Sequence, residues 1–299
     1  MRIRKAVVLT AGLGTRLIPF SKEMPKEMLP LCVLENGVLV LKPILQMLYE
    51  QLYEAGIREF CFIVGRNKRL VENHFTPDWD FVELLQNKGK DSLARILVDF
   101  YNKLEDSHIT WVTQPTPLGT GDALLRAERF VEYETFIASA GDNIYLGENM
   151  VIKLLKEYDK YSGNFLTGRR VKNPSKYGVI LYEELEDPIV RVKGILEKPE
   201  KPPANLVNTS LYVFDSVVFK ALRKTRKSPR GEIEVTDAIQ TLINWGYDVY
   251  ALDAKNSPWV DVGNAQTYLE ALFSSIRTVG DKELIETIRG LALKELKMD

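Results

Sequence analysis

The sequence predicts an α/β fold built on a mostly parallel sheet. Through the first half of the chain, short continuous apolar runs alternate with longer segments of helical spacing. The first run ends in the small-residue turn "TAGLGT", of the kind that leaves a strand of a parallel sheet. With 299 residues, 45% of them hydrophobic, the chain can bury a core sufficient for one large α/β domain or a domain with an appendage.

The elements follow in order. Ile3, Ala6, Val7, Val8 and Leu9 are too few for a helix but continuous enough for a strand covered on both faces, which makes Thr10 to Gly14 the turn after it. In "KPILQMLYEQLYEAGI", Ile44, Leu48 and Leu52 recur every four residues, Leu45 and Ala55 fill the same face, and Gly56 stops a helix. "EFCFIV", "ITWVT" from Ile109 and "TFIASAG" from Thr135 read as further buried strands. Between them, Asp80 to Glu105 holds two helices and Gly121 to Phe130 a short one.

From Gly163 the pattern changes. "NFLTGRRV", "YGVILYEE", "IVRVKGILEK" and "NTSLYVFD" are short strands separated by turn residues, which predicts an added, more antiparallel layer. Helices return at "VTDAIQTLINWG", with Thr236 or the acids before it as caps, and at "NAQTYLEALFSSI". The tail Lys282 to Met298 is amphipathic through Leu284, Ile285, Ile288, Leu291 and Leu296, and is read as packing on the body or making a subunit contact.

Forty Lys and Arg balance 41 Asp and Glu, a net charge of −1, so no global field favours nucleic acid or an anionic membrane. Any anion must be met by a local cluster. Cys32 and Cys61 form no CxxC pair or secreted-type framework, and a reducing, cytoplasmic setting is expected. His74 and His108 have no partner at metal-ligand spacing and are expected to be solvated or hydrogen-bonded.

Several stretches suit phosphate chemistry. The opening turn lacks the third glycine of a dinucleotide fingerprint, where Leu17 stands, and has no Walker Gly-Lys-Ser/Thr. Backbone N–H groups at Leu13 and Gly14 can face one concavity, with Arg16 offering a planar fork and Lys26 a point charge. Arg16, Lys22 and Lys26 read equally well as solvated loop residues. "QPTPLGTGDALL" again leaves a strand and opens a helix. Gly119 and Gly121 allow close approach there, and Gln114 can donate and accept at a pyrimidine edge, although Thr120 and Asp122 could simply cap the helix. Asp142 in "ASAGDN" and Asp261 in "PWVDVGN" each follow an apolar run and suit either a turn or an oxygen-liganded cation. In "GILEKPEKPP", Glu197 could accept a hydroxyl beside the cation Lys198, or both could lie on a solvated edge.

Taken in order, "AGLGTRLIPFSKEMPKEMLPL", "ENHF", "QPTPLGTGDAL", "GDN", "YGVI", "EKP", "GEIEVTDAI" and "DVGN" resemble the sugar nucleotidylyltransferases, most closely the bacterial-type UTP:glucose-1-phosphate uridylyltransferases. The resemblance spans Lys5 to Leu272. It implies a Rossmann-like three-layer nucleotidyltransferase fold with a mostly parallel central sheet and an added antiparallel sugar-binding layer. Residues 1–275 would form that domain, 1–145 holding the nucleotide and 146–275 the sugar phosphate, with 276–299 a helical tail.

By the same resemblance, Arg16 and the turn Gly12, Leu13, Gly14 and Thr15 hold the UTP phosphates, and Lys26 reaches the α-phosphate. Ala11 and Gly12, with Gln114 and Gly119, hold uracil. Asp142 and Asp261 match magnesium ligands, Glu197 a sugar-hydroxyl contact, Lys198 a sugar-phosphate contact and Gly178 a backbone contact to the sugar. Lys22 stays a solvated flank. The implied activity is Mg²⁺-dependent transfer of UMP from UTP to glucose 1-phosphate by a cytoplasmic homo-oligomer, dimer or tetramer, with no nucleic-acid or membrane partner. Asp122 stands where uridylyltransferases usually carry His, and "QPTP" is closer to glucose-1-phosphate thymidylyltransferases, which leaves dTTP or another hexose 1-phosphate as the alternative. "ENHF" and the helical insert from Asp80 to Glu105 belong to the uridylyltransferase branch. A non-catalytic relative is disfavoured by the presence of Arg16, Lys26, Asp142, Lys198 and Asp261 together, and a nicotinamide-dependent dehydrogenase by Leu17.

Overall fold

The computed structural model describes residues 3–66, 68–228 and 230–295. The central strands are β1 (Lys5–Thr10), β4 (Glu59–Val64), β5 (His108–Thr113), β6 (Phe136–Ala140), β8 (Asn164–Arg170), β9 (Gly178–Glu184), β10 (Ile189–Glu197), β11 (Leu206–Phe214) and β12 (Val249–Asp253). Two ribbons complete the set: β2 (Pro30–Glu35) with β3 (Val38–Pro43), and β7 (Asn143–Tyr145) with β13 (Trp259–Asp261).

The central strands form one sheet in the order β5-β4-β1-β6-β11-β8-β12-β10-β9. β5, β4, β1 and β6 are mutually parallel, as their short apolar runs predict. β11 runs antiparallel between β6 and β8, and β10 runs antiparallel between β12 and β9. The antiparallel strands of the second half therefore extend the same sheet. β9 and β10 are consecutive and antiparallel, so a short turn joins them where a parallel pair would need a long crossover.

Alternation along β4 shows how both faces are covered. Phe60, Phe62 and Val64 enter one core with Tyr49, Phe75 and Phe100, while Cys61 and Ile63 enter the other with Leu124, Phe136 and Phe219. On the first face, Tyr49 lies 4.7 Å from Phe60 and Trp111 stacks on Phe62 at 4.8 Å between ring centroids. Helices Ile44–Glu54 and Asp91–Glu105 cover this side, and Val217–Lys224 with Val235–Asn244 cover the opposite one, which makes three layers.

The insert contains helices Trp79–Asn87, where Asp78 caps the Phe81 N–H at 3.0 Å, and Asp91–Glu105. The helix Ala265–Val279 starts on a capping box between Asn264 and Thr267 and ends at Gly280 in the left-handed region. A further helix, Lys282–Glu295, carries Leu284, Ile285, Ile288 and Leu291, while Leu296 and Met298 lie outside the described residues. No helix among the described residues is long and apolar enough to cross a membrane.

His74 meets the hydrogen-bonding expectation: its Nε2 lies 3.0 Å from Gln46 Oε1, and burial pushes its pKa down to about 4. A depressed histidine favours the neutral folded form, so stability is intact above the unfolded value near 6.5 and is lost as pH falls toward 4. At about 1.4 kcal/mol per pH unit, up to about 3 kcal/mol is at stake across that window. Denaturant titrations from pH 7 to pH 4 should show this loss, and His74→Gln, which cannot titrate, should flatten it.

Candidate active site

The carboxyl ends of the parallel strands bring the first candidates together. Thr10 pairs with Val64, and Val64 with Thr113, so the next residues, Ala11, Gly65 and Gln114, stand side by side. A Cβ on Gly65 would lie 2.9 Å from the Ala11 carbonyl oxygen, so only glycine lets the two turns approach so closely. Leu9 pairs with Ala140, which places Gly141 and Asp142 beside Thr10 and Ala11 on the other side. The chain proceeds from β1 outward to β4 and β5, then returns to put β6 on β1's opposite flank. The edge between β1 and β6 is thus a topological switch point, where open α/β sheets hold ligands.

In the turn after β1, Gly14 adopts φ 63° and its carbonyl accepts from the Leu17 N–H at 2.9 Å and the Ser21 hydroxyl at 2.7 Å. Among the described residues no acceptor takes the N–H groups of Gly12, Leu13 or Gly14. Open amides of this kind form an anion cradle. Lys26 runs along the turn, its Cε 3.8 Å from where a Gly12 Cβ would sit.

Lys26 forms an ion pair with Asp142, both side chains largely buried. Burial works against the ammonium, but Asp142, Glu27 and Asp261 outweigh it and hold the Lys26 pKa above its ordinary value. The β7–β13 ribbon aligns Asp261 with Asn143, and the Val262 N–H donates to the Asp142 carbonyl at 3.2 Å. Asp142 and Asp261 thereby share one end of a two-strand ribbon. Burial, and then Asp142, push the Asp261 carboxyl up to about 6, while Lys26, Arg16 and Lys198 pull it down. All five charged candidates therefore act on one locus. The Arg16 guanidinium lies over Gly263, 3.3 Å from where a Cβ would stand.

The sugar-side candidates arise from the β9–β10 pairing, which aligns Gly178 with Glu197. A Gly178 Cβ would sit 2.8 Å from Thr236 Cγ2 and 3.3 Å from Glu197 Oε2. Lys198 occupies φ 44°, unusual for a residue with a side chain, and its N–H donates to the Tyr177 carbonyl at 3.0 Å. Lys198 Nζ lies 3.1 Å from Glu197 Oε1. Lys22 is 78% exposed beside Glu23, as a solvated flank should be.

Other site features had no assigned role from sequence. Glu27, next to Lys26 in the chain and fully buried, pairs with Lys68 at 2.9 Å. Thr236 and Glu234 do not cap their helix with side chains, because both are engaged elsewhere. The Thr236 hydroxyl donates to Glu197 at 3.0 Å, and Glu234 accepts from Thr120 at 3.1 Å and from Arg230 at 2.6 Å. Burial first, then the nearby acids Glu232 and Glu197, push the Glu234 pKa up to about 7. Likewise Thr120 and Asp122 give no side-chain cap: Gly119 begins that helix, and Asp122 faces Gln114. Residues 230–236 thus tie the Gln114 loop to the Glu197–Lys198 pair. Their signal was the unused acids and threonine of "GEIEVTDAI".

A model of the family described as nucleotidyl transferase matches residues 5–276. The chain is 34% identical over 303 residues to a UTP–glucose-1-phosphate uridylyltransferase of Bacillus subtilis, spanning 98% of this chain and 99% of that one. Its structure resembles a UDP-glucose pyrophosphorylase solved in complex with UDP-glucose, with TM-score 0.78 and 29% identity over 92% of this chain and 99% of the other. It also resembles a UTP-bound enzyme of the same kind from Acinetobacter baumannii, with TM-score 0.81 and 26% identity over 97% and 99% of the two chains.

Proposed function

The chain belongs to the nucleotidyl transferase family, and from that premise we propose that it transfers UMP from UTP to glucose 1-phosphate, giving UDP-glucose and pyrophosphate. The observation that carries this reading is the gathering of Arg16, Lys26, Asp142 and Asp261 beside the β1–β6 edge, with Lys198 of the sugar-side loop close enough to act on the Asp261 charge.

The phosphate oxygen of glucose 1-phosphate is already an anion, so the protein need supply no nucleophile or general base. Its task is to bring two anions into line and hold the charge that develops. Ala11 and Gly12, with Gln114 and Gly119, seat uracil. The free amides of Gly12, Leu13 and Gly14, with Thr15 and Arg16, hold the β- and γ-phosphates. Lys26 lies at the α-phosphate. Glu197 accepts from a glucose hydroxyl, the Gly178 backbone meets the ring, and Lys198 takes the sugar phosphate.

Asp142 and Asp261 suit Mg²⁺. Two carboxylates on neighbouring backbones, one of them raised by burial and then by the other's charge, favour a cation between them. Among the described residues no cluster of three His, Cys, Asp or Glu completes a closed metal site. Mg²⁺ commonly draws its remaining ligands from water and substrate phosphates. Bound there, it would offset phosphate charge and orient the reacting groups.

Residues 1–145 form the nucleotide half, 146–275 the sugar-phosphate half and 276–299 the tail of a cytoplasmic enzyme. Exposed Leu34, Leu39 and Leu41 on the β2–β3 ribbon and Leu269 and Phe273 on the adjoining helix supply an apolar face for a homo-oligomer, dimer or tetramer.

A matrix of nucleoside triphosphates and sugar 1-phosphates, read by pyrophosphate release, tests the reaction. UTP with glucose 1-phosphate and Mg²⁺ should lead. A preference for dTTP or a purine would overturn the choice of base, and no release from any pair would favour a binding protein. Lys198→Ala should cost about 1.5–3 kcal/mol in use of glucose 1-phosphate, read as a fall in kcat/KM for the sugar phosphate with little change in KM for UTP.

A further inference from the structure

Asp122 is a buried acid outside the catalytic charge cluster, 7% exposed, on the helix Thr120–Leu125 behind the base-side loop. Gln114 Nε2 donates to Asp122 Oδ2 at 2.7 Å and to the Gly119 carbonyl at 3.2 Å. Arg126, one turn along the helix, lies 3.4 Å from the other Asp122 oxygen. A carboxylate and a carbonyl can only accept, so the nitrogen of the Gln114 carboxamide must face both of them. Its oxygen is then turned away, and among the described residues no donor reaches it.

We infer that Asp122 is a positioning residue for base choice: it locks the Gln114 carboxamide with the oxygen toward the base, so that the pocket takes pyrimidines carrying an N3–H and rejects cytosine. Uracil and thymine donate from N3, whereas the cytosine N3 lone pair would oppose the Gln114 oxygen. An unlocked carboxamide could turn over and present its nitrogen, which suits cytosine. The inference rests on the placement of uracil beside Gln114 proposed above. Uracil and thymine share that N3–H, so the lock does not set the order of UTP and dTTP.

Equilibrium binding of UTP and CTP to the full chain, with pyrophosphate release measured in parallel, separates the two claims. The wild type should prefer UTP by on the order of 10²-fold. Asp122→Leu removes the acceptor and should lower that ratio by about tenfold. Asp122→Ala serves the same purpose if the leucine variant does not fold. Asp122→Asn, whose carbonyl can still accept from Gln114, should restore the ratio to within about threefold of wild type. An unchanged UTP:CTP ratio in the Leu and Ala variants, or a collapse in the Asn variant equal to theirs, would overturn the positioning role even if the wild type makes UDP-glucose. A ratio that responds as described in a protein releasing no pyrophosphate would uphold the role and overturn the proposed reaction.

Discussion

Asp142→Asn should lower turnover by about 10²–10³-fold at saturating UTP, glucose 1-phosphate and Mg²⁺. The substitution keeps the shape and one acceptor oxygen of a side chain that holds Lys26 and faces Asp261, but it removes the charge. Charge matters most where it meets charge developing on the α-phosphate, so kcat should fall more than KM for either substrate rises. Lys26 loses its buried counter-ion, so melting temperature and circular dichroism are needed to show that the variant is folded. Turnover that survives in a folded variant at saturating Mg²⁺ would remove Asp142 from the proposed metal site.

Lys26→Met should be comparably damaging, by a different route. Its ammonium is hemmed in by Asp142, Glu27 and Asp261, which together hold it charged against burial. Methionine fills much of the same volume but leaves those acids facing each other and the triphosphate. Turnover should fall by about 10²–10³-fold, with weaker UTP binding as a secondary effect. Added Mg²⁺ should recover part of the UTP binding but little of kcat, because a cation between the two aspartates does not replace the ammonium beside the turn. Steady-state kinetics over a Mg²⁺ series distinguishes these effects. A variant with wild-type kcat would place Lys26 outside the reaction.

Much of this arrangement is legible in the sequence because it depends on local signals. Buried parallel strands such as "EFCFIV" are continuous apolar runs, and their ends mark where Ala11, Gln114 and Asp142 must emerge. The order of the motifs supplies the remainder. The β2–β3 hairpin has a local signal too, Asn36-Gly37 between apolar runs, and both residues take the positive φ, 50° and 78°, that such a two-residue turn requires.

Other features arise only when distant segments meet. β7 and β13 are three residues each, too short to carry a periodic signal, and become strands only by pairing across more than a hundred residues. The segment 230–236 shows the same limit. Glu234 and Thr236 look like helix caps in sequence, but folding brings Thr120 and Glu197 within reach, and those side chains take the hydrogen bonds. Asp122 likewise reads as a cap until the turn at Gly119, with φ 107° and packed on Ile233, folds Gln114 back onto it. Propensity describes what a residue does alone, and tertiary partners decide what it does here.

The central claim is that charged side chains move UMP directly between two bound substrates, with no covalent stop on the protein. The most direct measurement follows UTP labelled at the α-phosphate, with Mg²⁺, before and after glucose 1-phosphate is added. The predicted result is no label on the protein and no pyrophosphate in the absence of the sugar phosphate, then label appearing in UDP-glucose in step with pyrophosphate once it is present. Pyrophosphate released with label retained on the protein before the sugar phosphate arrives would contradict it.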